Sequence, residues 1–158
     1  MTERDDYFMN RAIALAEEGM KANAGGPFGA VIVKDDQIIA EGYNKVTSTN
    51  DPTAHAEVVA IREACKKLNT FQLTDCVIYT SCEPCPMCLG AIYWTRPKMV
   101  FFGCNREDAA AINFDDQFIY DEIEKNIEGR QIKFVQLSRK NALEVFKKWD
   151  SKMDKTKY

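Results

Sequence analysis

Two short stretches of the sequence contain residue types that bind metals and carry out acid–base chemistry. They are Thr-Ala-His-Ala-Glu at 53–57 and Cys-Glu-Pro-Cys-Pro-Met-Cys at 82–88. His55, Cys85 and Cys88 are typical zinc ligands, and three protein ligands leave a fourth tetrahedral position for water. Zinc lowers the pKa of such a water to about 7. We therefore predict a catalytic zinc site, with Glu57 as the group that takes up and delivers the proton.

The position of the metal follows from helix geometry. Side chains two residues apart on a helix point about 200° apart, so His55 and Glu57 share a target only if it lies off the helix N-terminus. Asp51 and the Pro52 that follows it indicate a helix start just before these residues. The metal is therefore predicted at the N-terminal end of that helix.

Cys82 leaves other interpretations open. With His55, Cys85 and Cys88 it could complete a closed Cys₃His structural site, and a Cys-x-x-Cys pair could also be redox-active. A glutamate as close as Glu57 favours the catalytic site. The remaining cysteines are Cys65, Cys76 and Cys104. We interpret Cys65 and Cys76 as core residues and leave Cys104 unassigned.

The element pattern predicts the scaffold that positions these residues. Helices are expected at 5–20, 51–68, 84–93, 107–111, 117–127 and 141–152. Strands are expected at 28–34, 37–42, 76–80, 98–103 and 131–137, the first two joined as a hairpin at Asp35 and Asp36. This alternation predicts an α/β fold in which a central sheet lies between two helical layers.

Composition limits the class of protein. The 158 residues are 46% apolar and 28% charged with a net charge of −3, which suits one globular domain spanning 1–158. No apolar run approaches the roughly 20 residues of a membrane span, and the charged start does not resemble a signal peptide. We expect a cytoplasmic protein with reduced thiols and no membrane partner. The acidic balance argues against a nucleic-acid partner.

His-Ala-Glu followed by Pro-Cys-x-x-Cys resembles the signature of the zinc nucleobase deaminases. The sequence resembles the cytidine deaminase superfamily over nearly its whole length, and within it the bacterial guanine deaminases. The segments that carry the closer resemblance are 25–34, 50–57, 79–94, 114–120 and the terminal Tyr158. The resemblance implies a three-layer α/β/α sandwich with a mixed five-stranded sheet. It also implies one Zn²⁺ per subunit on His55, Cys85 and Cys88.

The resemblance further implies hydrolysis of guanine to xanthine and ammonia in purine catabolism or salvage. Hydroxide from the zinc-bound water would add to carbon 2, with Glu57 as the proton shuttle. The implied contacts to the purine are Phe28, Asn44, Trp94, Asp116 and Tyr158. A homodimer is implied in which residues 140–158, a helix and tail, swap onto the partner subunit. Guanosine or another aminated heterocycle, and then the adenosine of a tRNA, remain alternative substrates.

Overall fold

The computed structural model describes residues 2–158, which form two compact units divided between Asp116 and Gln117. The first unit contains the sheet. Its elements are α1 (Glu3–Lys21), β1 (Gly29–Lys34), β2 (Gln37–Tyr43), α2 (Val46–Thr49), α3 (Ala56–Leu68), β3 (Val77–Cys82), α4 (Pro86–Thr95), β4 (Met99–Cys104) and α5 (Arg106–Ala111). The helix α2 is a single turn between β2 and α3.

The sheet is mixed, with strand order β2-β1-β3-β4. β1 is antiparallel to β2 and β3, whereas β3 and β4 are parallel. The predicted hairpin is confirmed: Lys34 pairs with Gln37, and the two turn residues, Asp35 and Asp36, both have positive φ. Two consecutive residues of this kind form the turn that matches the twist of a two-residue hairpin.

Both faces of the sheet are covered by helices, as predicted. Val31 and Val33 of β1 pack with Phe8 of α1 on one face. Ala30 and Ile32 of the same strand pack on the other face against α3 and α4. Successive strand residues point to opposite faces, so this strand, which is apolar from Gly29 to Val33, joins two cores. The first unit is therefore a three-layer α/β/α sandwich.

Close packing of α3 on the sheet depends on Gly42. A Cβ at this position would lie 2.4 Å from the carbonyl oxygen of Ala56 and 2.8 Å from the amide nitrogen of Ala60. Real side chains never approach backbone so closely. The glycine therefore lets the first turn of α3 rest directly on β2, and that turn follows His55.

The fifth strand predicted at 131–137 is absent from the described chain, whose sheet has four strands. Residues 133–138 have no regular secondary structure. Their alternating pattern is that of a strand, but Val135 and Leu137 are 83% and 85% exposed. A strand is stable only when its backbone groups pair with a neighbouring strand, and this segment has no ladder partner.

The second unit, Gln117–Tyr158, is helical. It contains α6 (Gln117–Glu124), a 3₁₀ turn (Ile127–Gly129) and α7 (Arg139–Ser151). None of these three elements has a buried residue. Helix α6 ends before the predicted limit of 127, and α7 begins two residues earlier than predicted. Across residues 2–158, no helix has both the length and the apolarity needed to cross a bilayer.

Candidate active site

His55 and Glu57 stand at the start of α3. His55 is the N-cap, with extended backbone (φ −67°, ψ 156°), and Glu57 lies in the first turn. The helix starts later than predicted, because the Asp51 side chain accepts hydrogen bonds from the Thr53 amide (2.8 Å) and hydroxyl (2.6 Å). These bonds close a separate turn before the helix.

Cys85 and Cys88 occupy the corresponding positions at the start of α4. Cys85 is the N-cap, Pro86 is the first helical residue and Cys88 lies in the first turn. Proline suits this position because its missing N–H would have no partner in the helix. The prediction placed this helix start two residues too early. Two helix N-termini therefore meet at one point, and both stabilise negative charge there.

The three predicted ligands come together as a group. The Nδ1 atom of His55 lies 3.5 Å from the Sγ of Cys85 and 3.5 Å from the Sγ of Cys88. All three atoms lie within 4.8 Å of one another. A tetrahedral zinc with its usual bond lengths to nitrogen and sulfur separates such atoms by about 3.6 Å. The donor set and spacing therefore fit one zinc ion with a position left for water.

The two thiols are electrostatically different. A hydrogen bond from Cys88, assisted by one from His55, lowers the pKa of Cys85 to about 4. The same bond and burial raise the pKa of Cys88. The bond to Cys85 also raises the pKa of His55. A lowered pKa favours the thiolate, the form of cysteine that binds metals.

Glu57 is beside the ligand group but is not part of it. Its side chain is 6% exposed, and its Oε2 accepts a hydrogen bond from the Sγ of Cys88 at 3.4 Å. Burial raises the pKa of this carboxyl, because a low-dielectric environment disfavours the charged form. A buried carboxyl of raised pKa beside a group of candidate metal ligands is suited to taking up and releasing a proton.

The closed Cys₃His alternative has no support in the geometry. Cys82 directs its Sγ to the carbonyl oxygen of Asn105, at 3.6 Å. Burial raises its pKa to about 12. Cys82 is also absent from the group of candidate ligands found within residues 2–158. Because the Cys82 thiol faces this carbonyl and lies outside the ligand group, the coordination remains open.

Three of the predicted purine contacts, Phe28, Asn44 and Asp116, are buried or half-buried residues of the first unit. Asn44 is buried, and its amide Oδ1 accepts a hydrogen bond from the backbone of Val46 at 3.1 Å. The Asn44 backbone N–H donates to the carbonyl of Phe28 at 3.0 Å. Asp116 is half-buried; burial and the nearby charge of Cys85 raise its pKa.

The other two predicted contacts are at exposed positions. Trp94 belongs to α4 and is 64% exposed, and Tyr158 ends the second unit and is 68% exposed. Their roles at the site stay predictions.

Sequence reasoning missed two residues that shape the site region. The ring of Phe114 contacts Phe28 edge-on, and the backbone of Gly25 lies against the Asn44 side chain. Phe114 stands in the same short segment as Asp116, which is the signal that could have identified it. Gly25 enters the sequence analysis only as the first residue of the segment 25–34.

Comparison with known proteins gives consistent results. A profile of the cytidine and deoxycytidylate deaminase zinc-binding region matches residues 2–104. A guanine deaminase of Bacillus subtilis is 60% identical over 153 residues, covering 97% of this chain and 98% of the relative. A tRNA-specific adenosine deaminase of Buchnera aphidicola is 38% identical, covering 79% of this chain and 82% of the relative.

Among solved structures, the crystal structure of guanine deaminase from Bacillus subtilis matches with a TM-score of 0.95 at 57% identity. The alignment covers 100% of this chain and 99% of the other. The similarity thus includes the second unit, which lies beyond the zinc-binding region.

Proposed function

The chain belongs to the cytidine and deoxycytidylate deaminase family of zinc-binding enzymes, and from that premise we propose that it hydrolyses guanine to xanthine and ammonia. One observation carries the choice of guanine. The similarity to the Bacillus subtilis guanine deaminase extends over 97% of the chain, past the residue 104 at which the general zinc-binding region ends. The match to the tRNA-specific deaminase covers 79% at lower identity.

The residues of the site have distinct tasks in this reaction. His55, Cys85 and Cys88 would hold the zinc, which when bound makes a water acidic enough to react at neutral pH. Glu57 accepts a proton from the attacking water and delivers it to a ring nitrogen beside carbon 2. It then takes the second proton from the hydroxyl that has added to carbon 2 and transfers it to the amino group, which leaves as ammonia as the carbonyl of xanthine forms. Burial raises the pKa of the Glu57 carboxyl, which favours its taking up the proton that it then delivers.

The remaining contacts hold the base. Phe28 stacks on the purine, Asn44 contacts its polar edge and Asp116 accepts a hydrogen bond from a ring N–H. The Oδ1 of Asn44 already accepts a bond from Val46, so this side chain offers its NH₂ group to a purine acceptor. Trp94 forms a wall of the pocket. The Asn44 NH₂ donor and the Asp116 acceptor, held in fixed positions, would distinguish guanine from bases whose edges carry a different pattern of hydrogen-bonding groups.

Gly25 offers a test of the Asn44 contact. A Cβ at Gly25 would lie 2.0 Å from the Oδ1 of Asn44, so Gly25→Ala must displace the amide. We expect kcat/KM for guanine to fall roughly 10-fold or more, since small displacements of positioning groups are costly, with zinc content unchanged. Gly129→Ala is the matched control, because nothing lies within 4 Å of a Cβ there. Equal kinetics in the two variants would contradict the contact.

We propose that the active form is a homodimer in which residues 140–158 of one copy cover the site of the other. The second unit supports this, because large apolar side chains lie on its surface. They include Phe118, Ile132, Val135, Leu137, Phe146, Trp149, Met153 and Tyr158. Exposed apolar surface of this extent is typical of a protein–protein interface. In this arrangement Tyr158 of one copy contacts the purine bound in the site of the other copy.

Removing residues 154–158 tests the role of the tail. We expect turnover of guanine to fall at least about 10-fold, because the site loses the side chain that closes it against water, while zinc remains bound. The control is the double variant Lys155→Ala and Lys157→Ala, which changes the charge of the tail but keeps Tyr158. Undiminished turnover in the truncated protein would rule out a catalytic role for the tail.

The six cysteines are free thiols, and a reducing compartment keeps thiols free. We propose the cytoplasm as the site of action.

The experiment that separates the candidate substrates measures ammonia release from guanine, guanosine, adenine, cytosine and cytidine by the zinc-loaded protein. The proposed function requires release from guanine. Release from guanosine instead would mean that the site admits a ribose. A tRNA substrate is tested by binding at physiological salt, where electrostatic contacts to phosphate are weakened.

A further inference from the structure

Phe114 contacts the ring proposed to stack on the purine. The ring centroids of Phe28 and Phe114 are 5.0 Å apart, and the ring planes are at 90°. This is the edge-to-face geometry that aromatic pairs prefer, because the positive edge of one ring meets the negative face of the other. Phe114 is 46% exposed, so this ring is not simply part of the apolar core.

The contact exists because residue 26 is glycine. A Cβ on Gly26 would lie 2.8 Å from the Cζ of Phe114 and 2.9 Å from the Cε2 of Phe28. No side chain at position 26 could fit without moving one of the two rings. Backbone and rings thus form one close-packed group, in which neither ring has free space on the side of Gly26.

Both partners of this contact are fixed at their backbones. The Phe114 amide donates to the carbonyl of Ala109 in α5 at 3.0 Å, and Asn113 before it has a positive φ of 69°. Phe28 donates to the carbonyl of Gly26 at 2.9 Å and accepts from the amide of Asn44 at 3.0 Å. The segment after α5 therefore presents Phe114 to Phe28 at a defined position.

We propose that Phe114 is a positioning residue that holds the Phe28 ring in the orientation required to stack on the purine. The proposal rests on the proposed function. A purine that stacks on a pre-oriented ring does not have to pay for ordering that ring on binding. Loss of Phe114 therefore weakens binding of the base, while the proton transfers of Glu57 are unaffected.

The first test is Phe114→Leu, which keeps an apolar side chain but removes the ring. We expect KM for guanine to rise about 2- to 10-fold, the range measured for aromatic pairs, with kcat and zinc content unchanged. Phe71→Leu, which removes another half-exposed ring of the same unit, should leave KM unchanged. A loss of kcat or of zinc in Phe114→Leu would indicate a general structural role and overturn the proposal.

A double-mutant cycle with Phe28→Leu decides whether Phe114 acts through Phe28. If it does, Phe114→Leu has little further effect on KM in a chain that already carries Phe28→Leu. Additive effects would overturn the proposal, because Phe114 would then act independently. Failure of the proposed function is seen separately, as absence of guanine turnover in the unsubstituted protein.

Discussion

Glu57→Gln is expected to keep zinc and the fold but to lower kcat for guanine about 10²- to 10⁴-fold, the usual contribution of a general acid–base group. Glutamine has nearly the same shape as glutamate, and its amide still hydrogen-bonds to the neighbouring Cys88. It cannot take up a proton from water or pass one to the purine. The loss should therefore fall on the chemical step and not on binding.

A matched control for this variant lies on the same helix. Glu63→Gln also replaces a carboxylate of α3, but Glu63 is exposed. We expect its turnover to equal that of the unsubstituted protein. Zinc content and the unfolding temperature should be measured for both variants. Normal turnover in Glu57→Gln would show that another group moves the proton.

The second large effect is expected for Cys85→Ser. This substitution removes one of the three predicted metal ligands, because a serine hydroxyl does not form the thiolate that binds zinc. We expect zinc content to fall to a small fraction of one per chain and deamination of guanine to be lost with it. Metal analysis by mass spectrometry and an ammonia assay on the same preparation provide the measurement.

Cys82→Ser is the control that distinguishes an open site from a closed one. Cys82 bonds to the carbonyl of Asn105 and not to the ligand group, so zinc should remain bound at one per chain. Loss of zinc in this variant, to the same extent as in Cys85→Ser, would mean that the metal has four protein ligands.

Much of the metal site could be predicted because its residues lie in two short segments. His55 and Glu57 are two residues apart, and Cys85 and Cys88 are three apart. The chemistry of zinc restricts how such residues can be arranged. The exact helix starts could not be predicted, because Asp51 forms local hydrogen bonds with Thr53 that resemble a helix cap. In both segments a predicted metal ligand, His55 or Cys85, is itself the N-cap.

The fifth strand shows where pattern alone fails. Ile132, Phe134 and their neighbours alternate as strand residues do, but alternation does not supply a partner with free backbone groups. The contact between Phe28 and Phe114 could not be predicted from the sequence for a similar reason. Eighty-five residues separate them in the chain, and only the packing around Gly26 brings the rings together.

The most direct test of the central claim is the stoichiometry of the reaction with guanine. Full-length protein carrying one zinc per chain is incubated with guanine, and xanthine and ammonia are quantified together. The proposed function requires catalytic turnover with one xanthine and one ammonia formed for each guanine consumed. Absence of both products, with zinc bound and the protein folded, would contradict the assignment of guanine as the substrate.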